Sequence, residues 1–364
     1  MKDNLTQSYD YQWRVPSDNL KTNYKQMKYV TIIDIAKALN ISKSSVSKAF
    51  NNKSDIKSDT RELILRTAKE MGYSPNPFAK RLMNQCSFQI GLVVPEFINA
   101  FFHEVMIGIQ EIMFEKGYQI LIMNSNESSE KELENVKTLT SNMVDGIILS
   151  MASQENVAYY SSLIDKGFPI VFFNRIPNKQ INTSKVLFDD YKWAFFATEH
   201  LIYQGFKNIF HFAGPSGIAI SKQRKLGFID ALKKHKISVD DKSIIETGLL
   251  ISDGEREMEK LIITGNLPEA IFAVNDYAGI GAMKMLKKYG YKIPGDVALV
   301  GFTETKLAEL IDPPLTSVAQ PTNEIGRTAA KLLLEQIESK GIFVPQTVIL
   351  NGQLNVRESS MKLK

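Results

Sequence analysis

The sequence has little of several residue types that characterise particular classes of protein. Its 364 residues include a single cysteine, Cys86, so no intramolecular disulfide can form, which is typical of a reducing compartment. The four histidines are scattered along the chain, without the spacing of metal ligands or of a catalytic pair. We therefore expect no metal, no cofactor and no enzymatic activity.

Long apolar runs are also missing from the chain. No stretch approaches the roughly 18 apolar residues of a membrane span, and the N-terminal residues lack the apolar core of a secretory signal. These absences predict a cytoplasmic protein without membrane contact. Residues 1–28 are expected to be a flexible extension, with a translation start at Met27 as the alternative, because the first folded pattern begins just beyond it.

The charge that is present is unevenly distributed. Composition is that of an ordinary globular protein of two or three domains, 44% hydrophobic and 23% charged, with a net charge of +4. Residues 28–86 hold eleven basic and five acidic residues, a net +6, whereas residues 87–364 hold 29 and 32, a net −3. A small basic segment beside a slightly acidic body is typical of a nucleic-acid-binding module, although a charged run alone is more often a solvated face.

Apolar residues in this basic segment fall at helical spacing. A first helix follows Thr31 as its N-cap, with an apolar stripe that runs from Ile32 to Leu39. After a break at Asn40, a second helix begins behind Ser42 and turns Val46, Ala49 and Phe50 inward. The side chains that then face outward are Lys43, Ser44, Ser47, Lys48 and Asn51.

A third helix fits "SDTRELILRTAKEMGY", with Ser58 as its N-cap and Gly72 at its end. Two short helices joined by a tight turn and supported by a third form a helix-turn-helix arrangement, whose second helix enters the major groove of DNA. A generic three-helix bundle is the alternative that the same pattern allows.

The stretch "SPNPFAKRLMNQ", residues 74–85, predicts a short helix capped by Asn76. Isolated helices of this length are marginal in water, so we expect it to become ordered against a partner. Exposed Phe78 and Leu82 accompany the basic Lys80 and Arg81. An apolar side chain in such a setting can insert between base steps in the minor groove of DNA.

The remaining chain, from residue 88, alternates apolar strands with amphipathic helices. Examples are "FQIGLVV", "YQILIMN", "DGIILS", "PIVFFN", "NIFHFAG", "AIFAV" and "DVALVGF". Near-continuous apolar strands that alternate with helices predict parallel sheets covered on both faces, an α/β fold. Ligands of such sheets bind beyond the carboxyl ends of the strands, and two such subdomains with a cleft between them fit the length.

The stretch "VTIIDIAKALNISKSSVSKAFNNKSDIKSDTRELILRTAKEMGYSPNPFAKRL" closely resembles the headpiece and hinge of the LacI/GalR family of bacterial repressors. The resemblance continues through "IGLVVPEFINAFFHEVMIGIQ", "EHLIYQGFKNIFHFAGP", "AIFAVNDYAGIGAMKMLKKYGYKIPGDVALVGF" and "LAELIDPPLTSVAQPTNEIGRTAAKLLL". It implies a DNA-binding headpiece over 29–73, a hinge helix and linker over 74–87, and an effector-binding and dimerisation domain over 88–364. That domain would have the periplasmic-binding-protein type I fold, with two Rossmann-like subdomains and three chain crossings.

The resemblance also implies roles at operator DNA for residues of the headpiece and hinge. Lys43 and Ser44 would read bases, Ser45, Ser47 and Lys48 would contact phosphates or base edges, Asn51 would contact a phosphate, and Leu82 would insert into the minor groove. Further DNA-binding candidates are Thr31, Asn76 and Lys80. Lys48 stands where arginine is usual, and lysine lacks the planar fork for bidentate contact with guanine.

Effector-binding residues follow from the resemblance in the same way. Asp276, in "ND", and Arg224, in "RKLGF", match effector contacts, and Phe101 and Phe102 match aromatic positions near the pocket. Asp190 is a weaker candidate. From the residues alone, Asp276 could equally be the N-cap of the helix that it opens, and the two phenylalanines could belong to the core.

These observations predict a homodimeric, sequence-specific transcriptional regulator, most simply a repressor. Its partners would be a near-palindromic double-stranded operator and a small-molecule effector, a sugar or sugar derivative held by an acid and an arginine over aromatic rings. The alternative is a solute-binding protein for sugar uptake, against which the headpiece and the missing signal sequence argue. An enzyme acting on sugars would need a catalytic constellation that we do not find in the sequence.

Overall fold

The computed structural model describes residues 30–50, 56–73, 86–339 and 342–362. The chain divides into two compact units, Met1–Asn84 and Gln85–Lys364. Four predicted DNA-binding residues lie outside the described residues: Asn51, Asn76, Lys80 and Leu82. The predicted N-terminal extension and the hinge helix lie outside them as well.

Within residues 30–50 and 56–73, the first unit contains three helices, α1 (Ile32–Leu39), α2 (Lys43–Phe50) and α3 (Ser58–Glu70). Their inward faces share one small core, in which the side chains of Ile35, Val46, Ala49 and Ile64 are completely buried and Ala68 is nearly so. These residues lie on the predicted apolar stripes. The helix-turn-helix arrangement expected from the sequence is therefore present.

Local sequence sets the ends of these helices. Asn40 adopts the left-handed conformation, with φ 54°, and separates α1 from α2 as predicted. The Ser42 Oγ accepts a hydrogen bond from the Ser45 amide at 3.1 Å and caps α2. The prediction for α3 was wrong by one residue, because Lys57 is its N-cap and Ser58 is already helical. Lys57 supplies no side-chain acceptor to the helix.

In the second unit strands alternate with helices. The strands are β1 (Gln89–Val94), β2 (Gln119–Asn124), β3 (Gly146–Leu149), β4 (Ile170–Phe173), β5 (Lys185–Phe188), β6 (Ile209–Ala213), β7 (Ile244–Glu246), β8 (Ala270–Ala273), β9 (Ala298–Thr303), β10 (Thr316–Ala319), β11 (Thr347–Leu350) and β12 (Gln353–Asn355). The helices are α4 (Ala100–Glu115), α5 (Ser129–Ser141), α6 (Val157–Asp165), α7 (Asp190–Tyr203), α8 (Ala219–Lys234), α9 (Ile251–Thr264), α10 (Asp276–Lys288), α11 (Lys306–Leu310) and α12 (Thr322–Glu338).

The strands form two six-stranded sheets, one in each subdomain. The first sheet has the order β11-β5-β4-β3-β1-β2 and is parallel throughout. The second has the order β12-β10-β9-β8-β6-β7, and its edge strand β12 runs antiparallel to β10. The two predicted α/β subdomains are thus confirmed, although the second sheet is mixed and not purely parallel.

The chain passes between the two subdomains three times within its described part, as the family resemblance implied. It leaves the first sheet after β5, returns after β10 to form α12 and β11, and crosses once more to add β12. Helices cover both faces of each sheet, so β1, β3, β4, β8 and β9 are almost completely buried. Among the described residues, no helix has the length and apolar character needed to cross a membrane.

Candidate functional site

The N-terminal turn of α2 presents short polar side chains and one lysine. Lys43 and Ser44 are exposed, and the Ser42 Oγ lies 2.7 Å from the Ser44 Oγ and 2.9 Å from the Ser45 Oγ. Short side chains let the backbone approach another surface closely. The hydroxyl groups can donate hydrogen bonds, and the ammonium group of Lys43 adds positive charge.

The other predicted DNA contacts of the headpiece lie near this turn. Ser45, Ser47 and Lys48 are half-buried on α2, and Thr31 is exposed at the start of α1, where its amide and hydroxyl donate to the Asp34 carboxylate at 2.9 and 2.7 Å. The contacts of these side chains with DNA stay predictions.

A cavity lies between the two subdomains, at the carboxyl ends of their strands, where α/β sheets commonly bind ligands. The space that no protein atom fills is about 340 Å³, part of it open to solvent. The first subdomain contributes Asn99, Phe101, Phe102, Asn174 and Arg175 to its lining. The second contributes Ile220, Arg224, Leu249, Asn275 and Thr303, and Gln320 lies where the chain crosses.

Two of the predicted effector contacts, Phe101 and Phe102, form an apolar wall of this cavity. Asn99 begins α4 by accepting a hydrogen bond from the Phe101 amide at 3.0 Å, which places both rings at the start of the helix. The rings pack edge to face, with centroids 5.1 Å apart, and also belong to the core of the first subdomain. The functional and the structural interpretation of these rings are thus compatible.

Arg224 and Asp190 form a buried ion pair in the second subdomain. Asp190 Oδ1 accepts from Arg224 Nε at 2.8 Å and lies 2.7 Å from Nη2, while Nη1 donates to the Val274 carbonyl oxygen at 2.5 Å. The guanidinium also stacks on the Phe302 ring, 3.7 Å from its centroid. Burial raises the pKa of Asp190, and Arg224 opposes that shift. Arg224 lines the cavity, whereas Asp190 does not line it and holds the Arg224 guanidinium in place.

Asp276 does not line the cavity. Its carboxylate accepts hydrogen bonds from the Thr305 amide and the Ser317 hydroxyl, both at 2.5 Å, and its side chain is fully buried. Burial raises the pKa of Asp276 to about 6. The cap of α10 is Asn275, which accepts from the Ala278 amide at 2.8 Å, so the alternative role of Asp276 as N-cap was wrong. Its contact with an effector stays a prediction.

Sequence reasoning missed six polar residues of the lining: Asn99, Asn174, Arg175, Asn275, Thr303 and Gln320. Arg175 donates two hydrogen bonds to the Glu127 carboxylate, at 2.7 and 3.0 Å, but its buried Nε has no acceptor. The buried Nε2 of Gln320 has none either. Gln320 directly follows β10, in "SVAQ", and Arg175 lies two residues beyond the end of β4, in "FFNR", so the position after an apolar strand could have found both.

One hydrogen bond joins the subdomains beside the cavity. The Tyr277 hydroxyl of α10 donates to the Ile98 carbonyl oxygen at 3.1 Å. Ile98 belongs to the turn before α4, where the Glu96 carboxylate accepts from the amides of Ile98 and Asn99. Ile98 is next to Asn99, and Tyr277 is two residues from Asn275, both of which line the cavity.

Comparison with known proteins assigns both units. The model of bacterial regulatory proteins, lacI family, matches residues 31–76, and that of the periplasmic binding protein-like domain matches residues 198–360. The HTH-type transcriptional regulator DegA of Bacillus subtilis is 32% identical over 92% of this chain and 98% of its own length. The chain belongs to the LacI family. The family predicted from the sequence motifs is therefore confirmed.

Solved structures of LacI-family regulators share the architecture. A complex of the transcriptional regulator CelR with cellobiose is 28% identical, with a TM-score of 0.70 over 91% of this chain and 99% of CelR. A Lac repressor dimer bound to operator and the anti-inducer ONPF has a TM-score of 0.82 over 92% of this chain and all of its own, at 22% identity, which supports the fold alone. The relatives described here are regulators of transcription.

Proposed function

We propose that this LacI-family protein is a homodimeric transcriptional repressor whose affinity for its operator is set by a sugar or sugar derivative in the cleft between its subdomains. The observation that carries the proposal is that one chain joins a basic helix-turn-helix unit to a two-subdomain unit with a polar and aromatic cavity. A solute-binding protein for uptake would have no use for the first unit. The operator of such a repressor is chromosomal, so its site of action is the bacterial cytoplasm, and it catalyses no reaction.

In this proposal the N-terminal turn of α2 contacts operator bases. Lys43 and Ser44 are exposed there, and the residues with which α2 packs into the core face away from them. Ser45, Ser47 and Lys48 contact phosphates or base edges along one groove. Two headpieces related by dimer symmetry then bind two half-sites of a near-palindrome.

The cavity suits a small polyhydroxylated molecule. The Phe101 and Phe102 rings offer an apolar wall to the carbon skeleton, and the amide and guanidinium groups around them bind hydroxyl groups. CelR, one of the similar structures, carries cellobiose, so a carbohydrate ligand is compatible with this architecture.

Effector binding changes operator affinity by altering how the subdomains are held. The three segments that cross between the subdomains allow the subdomains to rotate against each other. The hydrogen bond from Tyr277 to Ile98 holds the two subdomains together beside the cavity. A coupling free energy of about 2–3 kcal/mol changes operator affinity about 30–150-fold. Because coupling is reciprocal, operator DNA changes effector affinity by the same factor.

The test is selection of bound sequences from random duplex DNA, followed by fluorescence anisotropy on the selected operator with a panel of sugars. We expect a near-palindromic site and at least one sugar that shifts its affinity. Lys43→Ala should change the base preferred at one position of each half-site, whereas Lys116→Ala, on the second unit, should leave the selected sequence unchanged. Absence of duplex binding at low salt would overturn the proposal and favour an uptake protein.

A further inference from the structure

The charged side chains that line the cavity are all of one sign. Among its described lining residues, Arg175 and Arg224 are charged and none is acidic. The two guanidinium groups influence each other, since Arg175 helps to lower the pKa of Arg224, after the larger effect of burial. From the sequence we expected an acid and an arginine to contact a sugar, whereas the lining contains two arginines and no acid among its described residues.

Carboxylates near the cavity are already bound by donors of the protein. Asp190 is held by Arg224, Asp276 by the Thr305 amide and the Ser317 hydroxyl, and Glu96 by two backbone amides. Each of these carboxylates already accepts hydrogen bonds from the protein, and none of the three belongs to the lining of the cavity.

Two amide oxygens of the lining are engaged as helix caps. Asn99 Oδ1 accepts from the Phe101 amide at 3.0 Å, and Asn275 Oδ1 accepts from the Ala278 amide at 2.8 Å. Two other side chains of the lining contain a donor without an acceptor, because Arg175 Nε and Gln320 Nε2 are buried and make no hydrogen bond. A buried donor without a partner is unfavourable, which favours a ligand rich in acceptors over one rich in donors.

Helix α8 directs a further set of donors to the same cavity. Ile220, in its first turn, lines the cavity, and the N-cap residue Ile218 supplies no side-chain acceptor to the helix. The Ser221 hydroxyl in this turn is buried and has no hydrogen-bond partner. Uncapped amides and the positive end of the helix dipole favour an anion at such a place.

The two arginines differ in how firmly they are already paired. Arg224 is bound to Asp190, whose side chain is 7% exposed, and to a backbone carbonyl oxygen. Arg175 is itself 7% exposed, but its partner Glu127 is 43% exposed and can turn into solvent. An incoming anion therefore competes for Arg175 at a much lower cost than for Arg224.

We propose that the effector is an acidic sugar, one that carries a carboxylate or a phosphate group, and that Arg175 binds this group. The inference rests on the proposed function, since it names the class of ligand that the same cleft takes. Carboxylate and phosphate share the chemistry that the cavity recognises, oxygen acceptors in a planar or tetrahedral group that match the guanidinium fork.

The test compares matched neutral and acidic sugars by calorimetric titration of the full chain. The pairs are glucose with glucuronate and with glucose 6-phosphate, galactose with galacturonate, and ribose with ribose 5-phosphate. We expect the acidic member of at least one pair to bind at least about tenfold more tightly than its neutral partner. Whether the carboxylates or the phosphates give this preference identifies the group.

Variants then assign the preference to Arg175. Arg175→Gln should abolish the preference for the acidic sugar, and Arg175→Lys should retain part of it, because the charge stays while the planar fork is lost. Arg327→Gln is the matched control, an ion-paired arginine of the same subdomain that does not line the cavity. Melting temperatures of all variants show that each is folded before it is titrated.

The outcomes separate this inference from the proposed function. If neutral sugars bind as tightly as acidic ones and still shift operator affinity, the acidic-sugar inference is wrong and the proposed function stands. A preference that survives Arg175→Gln also overturns it. If no sugar binds up to about 10 mM, the inference and the sugar effector fail together, while operator binding alone continues to support a DNA-binding protein. Equal binding of inorganic phosphate would show a general anion site and refute the sugar class.

Discussion

Two buried titratable groups of the second subdomain should have opposite effects on stability below pH 7. His211 lies between the rings of Phe228 and Phe272, with centroids 5.1 and 4.8 Å away, and burial lowers its pKa to about 4. Burial raises the pKa of Asp276 to about 6. Neither side chain has exposed surface.

The sign of each effect follows from which state binds the proton. Below its ordinary pKa of 6.5, His211 is protonated in the unfolded chain but not in the folded one, so stability falls as the pH drops towards 4. Asp276 takes up its proton in the folded state first, so stability rises as the pH drops through 6 towards 3.8. Between pH 7 and pH 5, the titration of His211 lowers the free energy of unfolding by about 2 kcal/mol, and that of Asp276 raises it by about 1 kcal/mol.

Single substitutions should reveal these hidden contributions. His211→Phe keeps the stack of rings and removes the titration, so the free energy of unfolding of this variant should rise by about 1 kcal/mol from pH 7 to pH 5. Asp276→Asn should lose about 2 kcal/mol over the same range, and wild type should change by less than about 1 kcal/mol from these two groups. Urea unfolding followed by circular dichroism at both pH values gives these differences. Parallel pH profiles for wild type and His211→Phe would refute the reasoning.

Three further predictions concern the cleft and its supports. Tyr277→Phe removes the hydrogen bond to Ile98, so the effector should bind about 2–10-fold more weakly in calorimetry, with the selected operator unchanged. Asp190→Ala leaves Arg224 buried without its partner and should lower the free energy of unfolding, measured in urea, by about 3–5 kcal/mol. Gly227→Ala should reduce the melting temperature by several degrees, because its Cβ would lie 2.4 Å from a backbone oxygen of α7.

Each of these predictions has an outcome that contradicts it. Unchanged effector affinity in Tyr277→Phe would show that the bond is not part of the closed cleft. If Asp190→Ala has the same free energy of unfolding as wild type, the ion pair is not buried in solution. Where Asp190→Ala does lose stability, the double variant Asp190→Ala with Arg224→Met, which removes both charges, should recover much of the loss. An unchanged melting temperature in Gly227→Ala would contradict the third prediction, and Gly352→Ala, whose Cβ would lie at the same 2.4 Å from a backbone oxygen, is a second position for this test.

Local signals predicted most of the fold, since helices and strands follow from spacing along the chain. Ile35, Val46 and Ile64 are buried because their stripes have helical period, and Asn40 ends α1 because it tolerates a left-handed backbone. The predicted N-cap of α3 was wrong because Ser58 has the side chain typical of an N-cap but lies in the first turn, whereas Lys57 holds the N-cap position. The three crossings came from the family resemblance, because pairing between distant strands leaves no local mark.

The cavity could be predicted only in part for a related reason. Phe101 and Arg224 belong to motifs of the family, whereas Arg175 and Gln320 come together only when β4 and β10, in different sheets, point their carboxyl ends at one space. Asp276 shows the opposite difficulty. It follows strand β8 like a ligand contact, but the Thr305 amide, after β9, and the Ser317 hydroxyl, in β10, donate to its carboxylate.

The order of strands in the first sheet has a consequence for biosynthesis. That sheet is completed by β11, and α12 covers it, yet both follow β6 to β10 of the second subdomain in the chain. When only β1 to β5 have been synthesised, the first sheet lacks β11 and α12. Its β5 edge and one apolar face are then exposed, which favours aggregation. Neither half can finish folding until nearly the whole polypeptide has emerged, so chaperones should matter more for this protein during translation than its native stability alone suggests.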